Sequence, residues 1–133
     1  MRKYVYILIG GAAGAPLRVV LRSLQVWEHS GGIPVNTLAV NIIGSFILAF
    51  FLTIAFEVSK FDADVRLGVS TGFLGAFTTF STLSKETALL IYSGDYVPAF
   101  SYVLLSGILG LSAVYLGVVL ARELIAGRSK NRA

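Results

Sequence analysis

Two long stretches of this chain carry no Asp, Glu, Lys or Arg: residues 33–56 and 96–121, which run 24 and 26 residues. About 20 apolar residues in a helix cross the ~30 Å hydrocarbon core of a bilayer, so each stretch predicts a transmembrane helix. Residues 67–84 form a third uncharged run, 18 long, with helical character expected to continue past Lys85 and Glu86 to Ser93. Apolar residues 4–17, continued by 19–21, predict a fourth crossing interrupted by Arg18. A content of 56% hydrophobic and 14% charged residues departs from that of a soluble domain. The pattern predicts an all-α membrane protein. Residues 1–133 are expected to form a single four-helix transmembrane domain, with helices at about 4–26, 33–56, 65–93 and 96–124 and a basic tail at 125–133. Loops this short leave no room for an extramembrane catalytic domain, and no enzyme is expected.

The first segment is read as a retained helix and not a secretory leader, because the small residues 10–15 sit too early for a cleavage site and three more spans follow. The chain has no cysteine, hence no disulfide or thiolate metal site. His29, beside Trp27 and Glu28 near an expected interface, reads as an exposed polar residue. The net charge of +4 does not mark a nucleic-acid partner, since the basic residues stand at helix ends and in the tail, where they meet lipid headgroups. An even number of spans puts both termini and the middle loop on one side. That side would hold Arg2, Lys3, Lys60, Arg66, Arg122, Arg128, Lys130 and Arg132, against Arg18, Arg22 and Lys85 on the other. Eight against three favours cytoplasmic termini; without the tail's Arg128, Lys130 and Arg132 the bias falls to five against three.

Within these spans the polar residues are grouped. Thr78, Thr79, Ser81, Thr82 and Ser84 place five hydroxyls in seven positions of the third span. Hydrocarbon offers a hydroxyl no partner, so such a cluster must face other helices, a broken backbone or water. Gly72, Gly75 and Ala76 weaken helix propagation just before it and predict a break there. Freed carbonyls would suit a cation such as Na⁺, and freed N–H and O–H groups an anion. The alternative for these hydroxyls is a bond back to their own helix. In the second span Thr37 and Asn41 lie four apart on one face, extended by Ser45; Asn41 is either an interhelical hydrogen bond or a pore donor. Tyr102 and Ser106 stack in the same way in the fourth span. Gly10-x-x-x-Gly14 in the first span predicts close helix packing. Arg18, Arg22, Lys85 and Glu86 read as snorkelling or interfacial charges, with Arg18 the candidate for a positive pore mouth. One four-helix subunit offers too few walls for a polar pathway, so an oligomer is expected.

Gly10-Gly11-x-x-Gly14-Ala15-x-x-Arg18, Asn36-Thr37-Leu38-x-x-Asn41-x-x-Gly44 and Gly72-Phe-Leu-Gly75-x-x-Thr78-Thr79-Phe80-Ser81-Thr82-x-Ser84-x-Glu86 together resemble the small bacterial fluoride channels of the Fluc, or CrcB, family. The resemblance covers nearly the whole chain. It implies an antiparallel, dual-topology dimer with two pores in the bacterial plasma or inner membrane. It also implies a structural Na⁺ at the dimer centre, held by backbone carbonyls that map onto Gly75 and Thr78. The implied fluoride pathway comprises Asn41, Phe80, position 83, Thr37, Ser81, Thr82, Ser84, Tyr102 and Ser106, with Arg18 at the mouth. The family's second pore phenylalanine is replaced here by Leu83. The implied partner is a second copy in opposite orientation, or alternatively an opposite-topology homologue. Two other classes compete with passive fluoride export: a small multidrug-type cation exporter, which calls for an acid deep in a membrane helix, and a non-transporting membrane subunit.

Overall fold

The computed structural model describes residues 1–23, 32–57 and 61–130, and the side chains of all of these but 22 and 128–130. The continuation of the first helix to 26, Trp27, Glu28, His29, Lys60, Arg132 and the side chains of Arg22, Arg128 and Lys130 lie outside that description. The described residues are helical almost throughout. The elements are α1 (Arg2–Ser23), α2 (Val35–Glu57), α3 (Ala63–Leu67), a π-helical stretch (Gly68–Leu74), α4 (Gly75–Phe77), α5 (Phe80–Tyr92) and α6 (Tyr96–Lys130). Three helices are long and apolar enough to cross a membrane: Arg2–Leu21, Val35–Glu57 and Tyr96–Gly127. The fourth rod, from α3 to α5, is the broken one.

Local chemistry sets the helix ends. Gly32 (φ 83°) turns the chain into Pro34, whose carbonyl accepts the Leu38 N–H at 3.2 Å, so the missing proline donor costs α2 nothing. Asp62 caps α3, its side chain accepting the Asp64 N–H at 2.8 Å. At the end of α5, Gly94 (φ 84°) takes the left-handed conformation. Gly94 N–H then bonds Ile91 C=O at 3.1 Å and Asp95 N–H bonds Leu90 C=O at 2.8 Å, closing a Schellman motif. The chain reverses there into α6, where Pro98 sits in the first turn and needs no donor.

Ion pairs show which ends lie together. Arg2 pairs with Asp62 and, at 2.8 Å, with Asp64, while Arg122 pairs with Glu57 at 2.9 Å. The start of α1, the end of α2, the start of α3 and the late part of α6 therefore share one end of the bundle. The Asp64 N–H bond and the Arg2 charge hold the Asp62 carboxyl below the usual carboxylate range.

α2 packs along α6, and α1 along the π-helical stretch and α4. The second seam is built from glycine. A Cβ on Gly72 would lie 2.5 Å from the Ile7 carbonyl oxygen, one on Gly68 2.9 Å from that of Tyr6, and one on Gly10 2.7 Å from the Phe73 nitrogen. Gly14 has no more room, against the Phe73 carbonyl. Backbone meets backbone here, as small residues four apart allow in lipid. Wherever the glycines close the gap, larger side chains fill the flanks: Val40, Leu74 and Phe77 form a small core with Leu21, Leu48, Val69 and Phe73 around it. Most large apolar side chains, among them Leu8, Ile9, Phe100 and Leu111, face outward, the arrangement expected where hydrocarbon is the solvent.

Two adjacent glycines of α1 test the seam. Gly10→Ala drives a methyl into the backbone of the π-helical stretch, whereas Gly11→Ala meets only the Gly72 carbonyl at 3.9 Å. Thermal melting of the purified protein should show Gly10→Ala destabilised by about 1–3 kcal/mol and Gly11→Ala close to the parent. Equal melting of the two would mean that α1 does not seat on this stretch.

Candidate functional site

The rod that runs from α3 to α5 is not continuous in hydrogen bonding. Its π-helical stretch carries Gly68 and Gly72 on the α1 side, and α4 ends after one turn. Thr78 (φ −76°, ψ 157°) and Thr79 (φ −148°, ψ 106°) are extended. Two extended residues cannot pass helical hydrogen bonds from one side to the other, so the backbone groups around them need other partners.

Asn41 supplies two of these. Its Oδ1 accepts the Thr79 N–H at 2.8 Å and its Nδ2 donates to the Thr79 carbonyl at 3.1 Å. Thr79 N–H can only donate and its carbonyl only accept, which fixes the amide orientation. The interhelical bond, one of two readings open for Asn41, is thus made, and to backbone instead of a side chain. Thr79 itself caps α5: its Oγ1 accepts the Thr82 N–H at 3.1 Å, donates to Thr82 Oγ1 at 2.8 Å and lies 3.2 Å from Ser81 Oγ. Thr79 is buried. Gly44, one turn along α2 from Asn41, makes the space that Thr78 Cγ2 fills.

A second polar junction joins α2, α5 and α6. Thr37 Oγ1 donates to Glu86 Oε1 at 2.9 Å, and Tyr102 OH donates to Glu86 Oε2 at 2.8 Å. Thr37 and Tyr102 are fully buried. Glu86 turns inward between the helices, while its neighbour Lys85 faces outward; adjacent residues on a helix do not share a face. Glu86 therefore does not sit as an interfacial partner of Lys85. Sequence reasoning left it out of the site, although its spacing from Thr82, four residues on, puts both on one face of α5.

The remaining candidates are dispersed. Ser84 Oγ donates back to the Phe80 carbonyl at 3.0 Å and Ser106 Oγ to the Tyr102 carbonyl at 2.7 Å, the self-bonding alternative for membrane hydroxyls. Thr78 Oγ1 likewise bonds Leu74 C=O at 2.9 Å. Phe80 is 80% exposed on the outer surface of the subunit, and Ser81 is exposed beside it. Leu83, Arg18 and Ser45 are half-buried and Gly75 is exposed. The structure thus brings together Asn41 with Thr79, Ser81 and Thr82, and Thr37 with Glu86 and Tyr102, and leaves Phe80 facing outward.

Residues 5–118 match the family model described as CrcB-like protein, Camphor Resistance (CrcB). The fluoride-specific ion channel FluC 2 of Listeria monocytogenes serotype 4b (strain F2365) is 41% identical over 129 residues, covering 97% of this chain and 97% of the relative. The fluoride-specific ion channel FluC of Sulfurihydrogenibium sp. (strain YO3AOP1) is 39% identical over 93% of this chain and 100% of its own length. That of Roseiflexus sp. (strain RS-1) is 43% identical over 90% and 97% respectively.

Thr79→Val keeps the shape of the buried side chain but removes the cap. It should cost about 1 kcal/mol, within a range of roughly 0.5–2, in chemical or thermal unfolding, while the self-bonded Ser84→Ala should stay within about 0.5 kcal/mol of the parent. A neutral Thr79→Val would mean that the cap does not hold the start of α5.

Proposed function

The chain belongs to the CrcB family, and from that premise we propose that it is a fluoride-selective anion channel through which F⁻ leaves the cytoplasm passively. It is a multi-pass membrane protein and not an enzyme. The observation that carries the reading furthest is the helix break at Thr78 and Thr79, set among neutral donors from α2 and α5. Fluoride is small and tightly hydrated, so a selective path must replace its water with several short donors and no fixed cation that would trap it. Asn41 Nδ2 carries two N–H groups and the Thr79 carbonyl takes one; the other is the donor we assign to the ion. The hydroxyls of Ser81, Thr82 and Ser84 would extend the path along α5 and those of Thr37, Tyr102 and Ser106 along α2 and α6; Thr82 accepts from Thr79 and keeps its own proton to offer, while Thr37, Tyr102, Ser84 and Ser106 must give up an internal acceptor to donate to the ion. Half-buried Arg18 draws anions to the mouth. Protonated HF crosses membranes and dissociates inside, which gives such a leak its protective direction.

Phe80 contributes its ring edge, which is electropositive; Leu83 has no such quadrupole. An outward-facing Phe80 lines a path only if a second wall faces it. This supports a dimer, and we favour two copies of this chain inserted in opposite orientations over a heterodimer, since the near-membrane charge bias is weak. A structural Na⁺ fits between such copies. The helical partners of the Gly75 and Thr78 carbonyls would be the Thr79 and Thr82 N–H groups, and those are directed to Asn41 and to the Thr79 hydroxyl. The two carbonyls would hold the ion, which when bound supplies positive charge and cross-links the breaks of the two copies.

An inward acid such as Glu86 is what a proton-coupled cation exporter would use. The family membership favours the channel, and the two hydroxyl donors on Glu86 leave it as an acceptor that joins three helices.

The test is fluoride efflux from proteoliposomes with no ATP and no proton gradient. The parent should release fluoride and retain chloride. Phe80→Ile should slow efflux more than Leu83→Ile, and Leu83→Phe should be tolerated. Efflux that required a proton gradient would sink the channel reading, and equal rates for both isoleucine variants would remove the ring-edge role. Orientation has its own measurement, because the chain lacks cysteine and Asp95 is exposed at the turn between α5 and α6. Asp95→Cys in intact cells should label comparably from both sides. Labelling from one side alone would mean a fixed orientation and an oppositely inserted partner.

A further inference from the structure

We infer that Asn41 is the positioning residue of the cation site, acting through the Thr79 peptide to free the Gly75 carbonyl and to aim the Thr78 carbonyl away from α2. The inference rests on the channel reading above for its cation and on the geometry of the break for its mechanism. In an unbroken helix the Thr79 N–H would occupy the Gly75 carbonyl. Asn41 Oδ1 takes that N–H at 2.8 Å, so one side chain releases Gly75. The same bond orients Thr78. Its carbonyl and the Thr79 N–H belong to one peptide group, no described peptide is cis, and the two ends of a trans peptide point in opposite directions. Anchoring the N–H on α2 therefore aims the Thr78 carbonyl away from α2.

Rotation of this peptide is blocked from three sides. Asn41 Nδ2 holds the following carbonyl, that of Thr79, at 3.1 Å. Thr79 Oγ1 takes the Thr82 N–H, which in a helix would compete for Thr78 C=O. Gly44 seats Thr78 Cγ2 so closely that a Cβ there would overlap it and approach Phe77 Cδ1 to 3.2 Å. Two carbonyls left at membrane depth without helical partners must find an ion, water or protein. Unwound carbonyls of this kind coordinate Na⁺ in membrane proteins. Asn41 thus serves both ions with different atoms: the second Nδ2 proton is the one assigned above to the anion, and Oδ1 sets the cation ligands.

The test is thermal melting of the purified full-length protein in Na⁺ against N-methylglucamine, with fluoride efflux measured in parallel. The parent should melt higher in Na⁺. Asn41→Asp keeps an acceptor for the Thr79 N–H although its second oxygen now opposes the Thr79 carbonyl, so it should keep more of the Na⁺-dependent rise than Asn41→Ser, while fluoride efflux is lost to a negative acceptor in a low-dielectric path. Asn41→Ser is too short to reach Thr79 and should need roughly 10–100-fold more Na⁺ for the same rise. A residue that merely braced the fold would lower melting equally in both salts and leave the difference intact; an unchanged difference in Asn41→Ser overturns the inference. If Asn41→Ser yields no folded protein, Asn41→Asp decides, since loss of its Na⁺ response overturns it as well. A parent that conducts fluoride but shows no Na⁺ response would refute the cation site, and this role of Asn41 with it, while leaving the channel standing.

Discussion

Backbone polar groups at membrane depth have no water to turn to, and an unpaired one costs several kcal/mol. The two extended residues at Thr78 and Thr79 break a helix under that constraint, and the rest of the bundle is arranged around the groups they expose. Asn41 takes the N–H and C=O of Thr79. The Thr79 hydroxyl takes the Thr82 N–H and so restarts the helix. One α2 side chain and one cap thus satisfy three of the groups that interrupting the rod exposes. Asn41 is short and could not reach the break unless α2 lay close to it, which Gly44 permits.

The glycine seam serves the same end. Burial of apolar surface provides little drive between helices in lipid, so association depends on close packing and interhelical hydrogen bonds. α1 lies on the π-helical stretch through Gly10, Gly14, Gly68 and Gly72, which fixes the first half of the broken rod. The second half is fixed by Glu86, held by Thr37 from α2 and Tyr102 from α6. With both halves anchored, the break between them is a place of defined geometry. A π-helical segment one short turn before it is consistent with the frequent occurrence of such segments at functional sites.

Much of the helical architecture was legible because lipid imposes a simple rule on composition: uncharged runs such as 33–56 and 96–121 have few alternatives to a spanning helix. The break was legible because glycines and clustered hydroxyls are poor company for a continuous membrane helix. Which partner each hydroxyl chooses was not. Ser84 and Ser106 bond their own backbone, whereas Thr37 reaches across to Glu86, and all share the same chemistry. The difference lies in what the neighbouring helix presents, a tertiary fact. Glu86 was obscured by its neighbour Lys85, because sequence adjacency implied a pair where helix geometry puts the two on different faces. The outward Phe80 was not legible either, because exposure is the common state of the large apolar side chains here and sequence does not say which of them meet lipid.

A fluoride channel of the kind proposed needs the neutral donors around its braced helix break to conduct fluoride and reject chloride without an energy source. The most direct measurement is the reversal potential of the purified protein in a planar bilayer, with opposing fluoride and chloride gradients, equal pH on both sides and no nucleotide. A potential set by the fluoride gradient and indifferent to chloride is the predicted result. A potential that follows chloride, or one that moves only when a pH difference is imposed, would contradict the account.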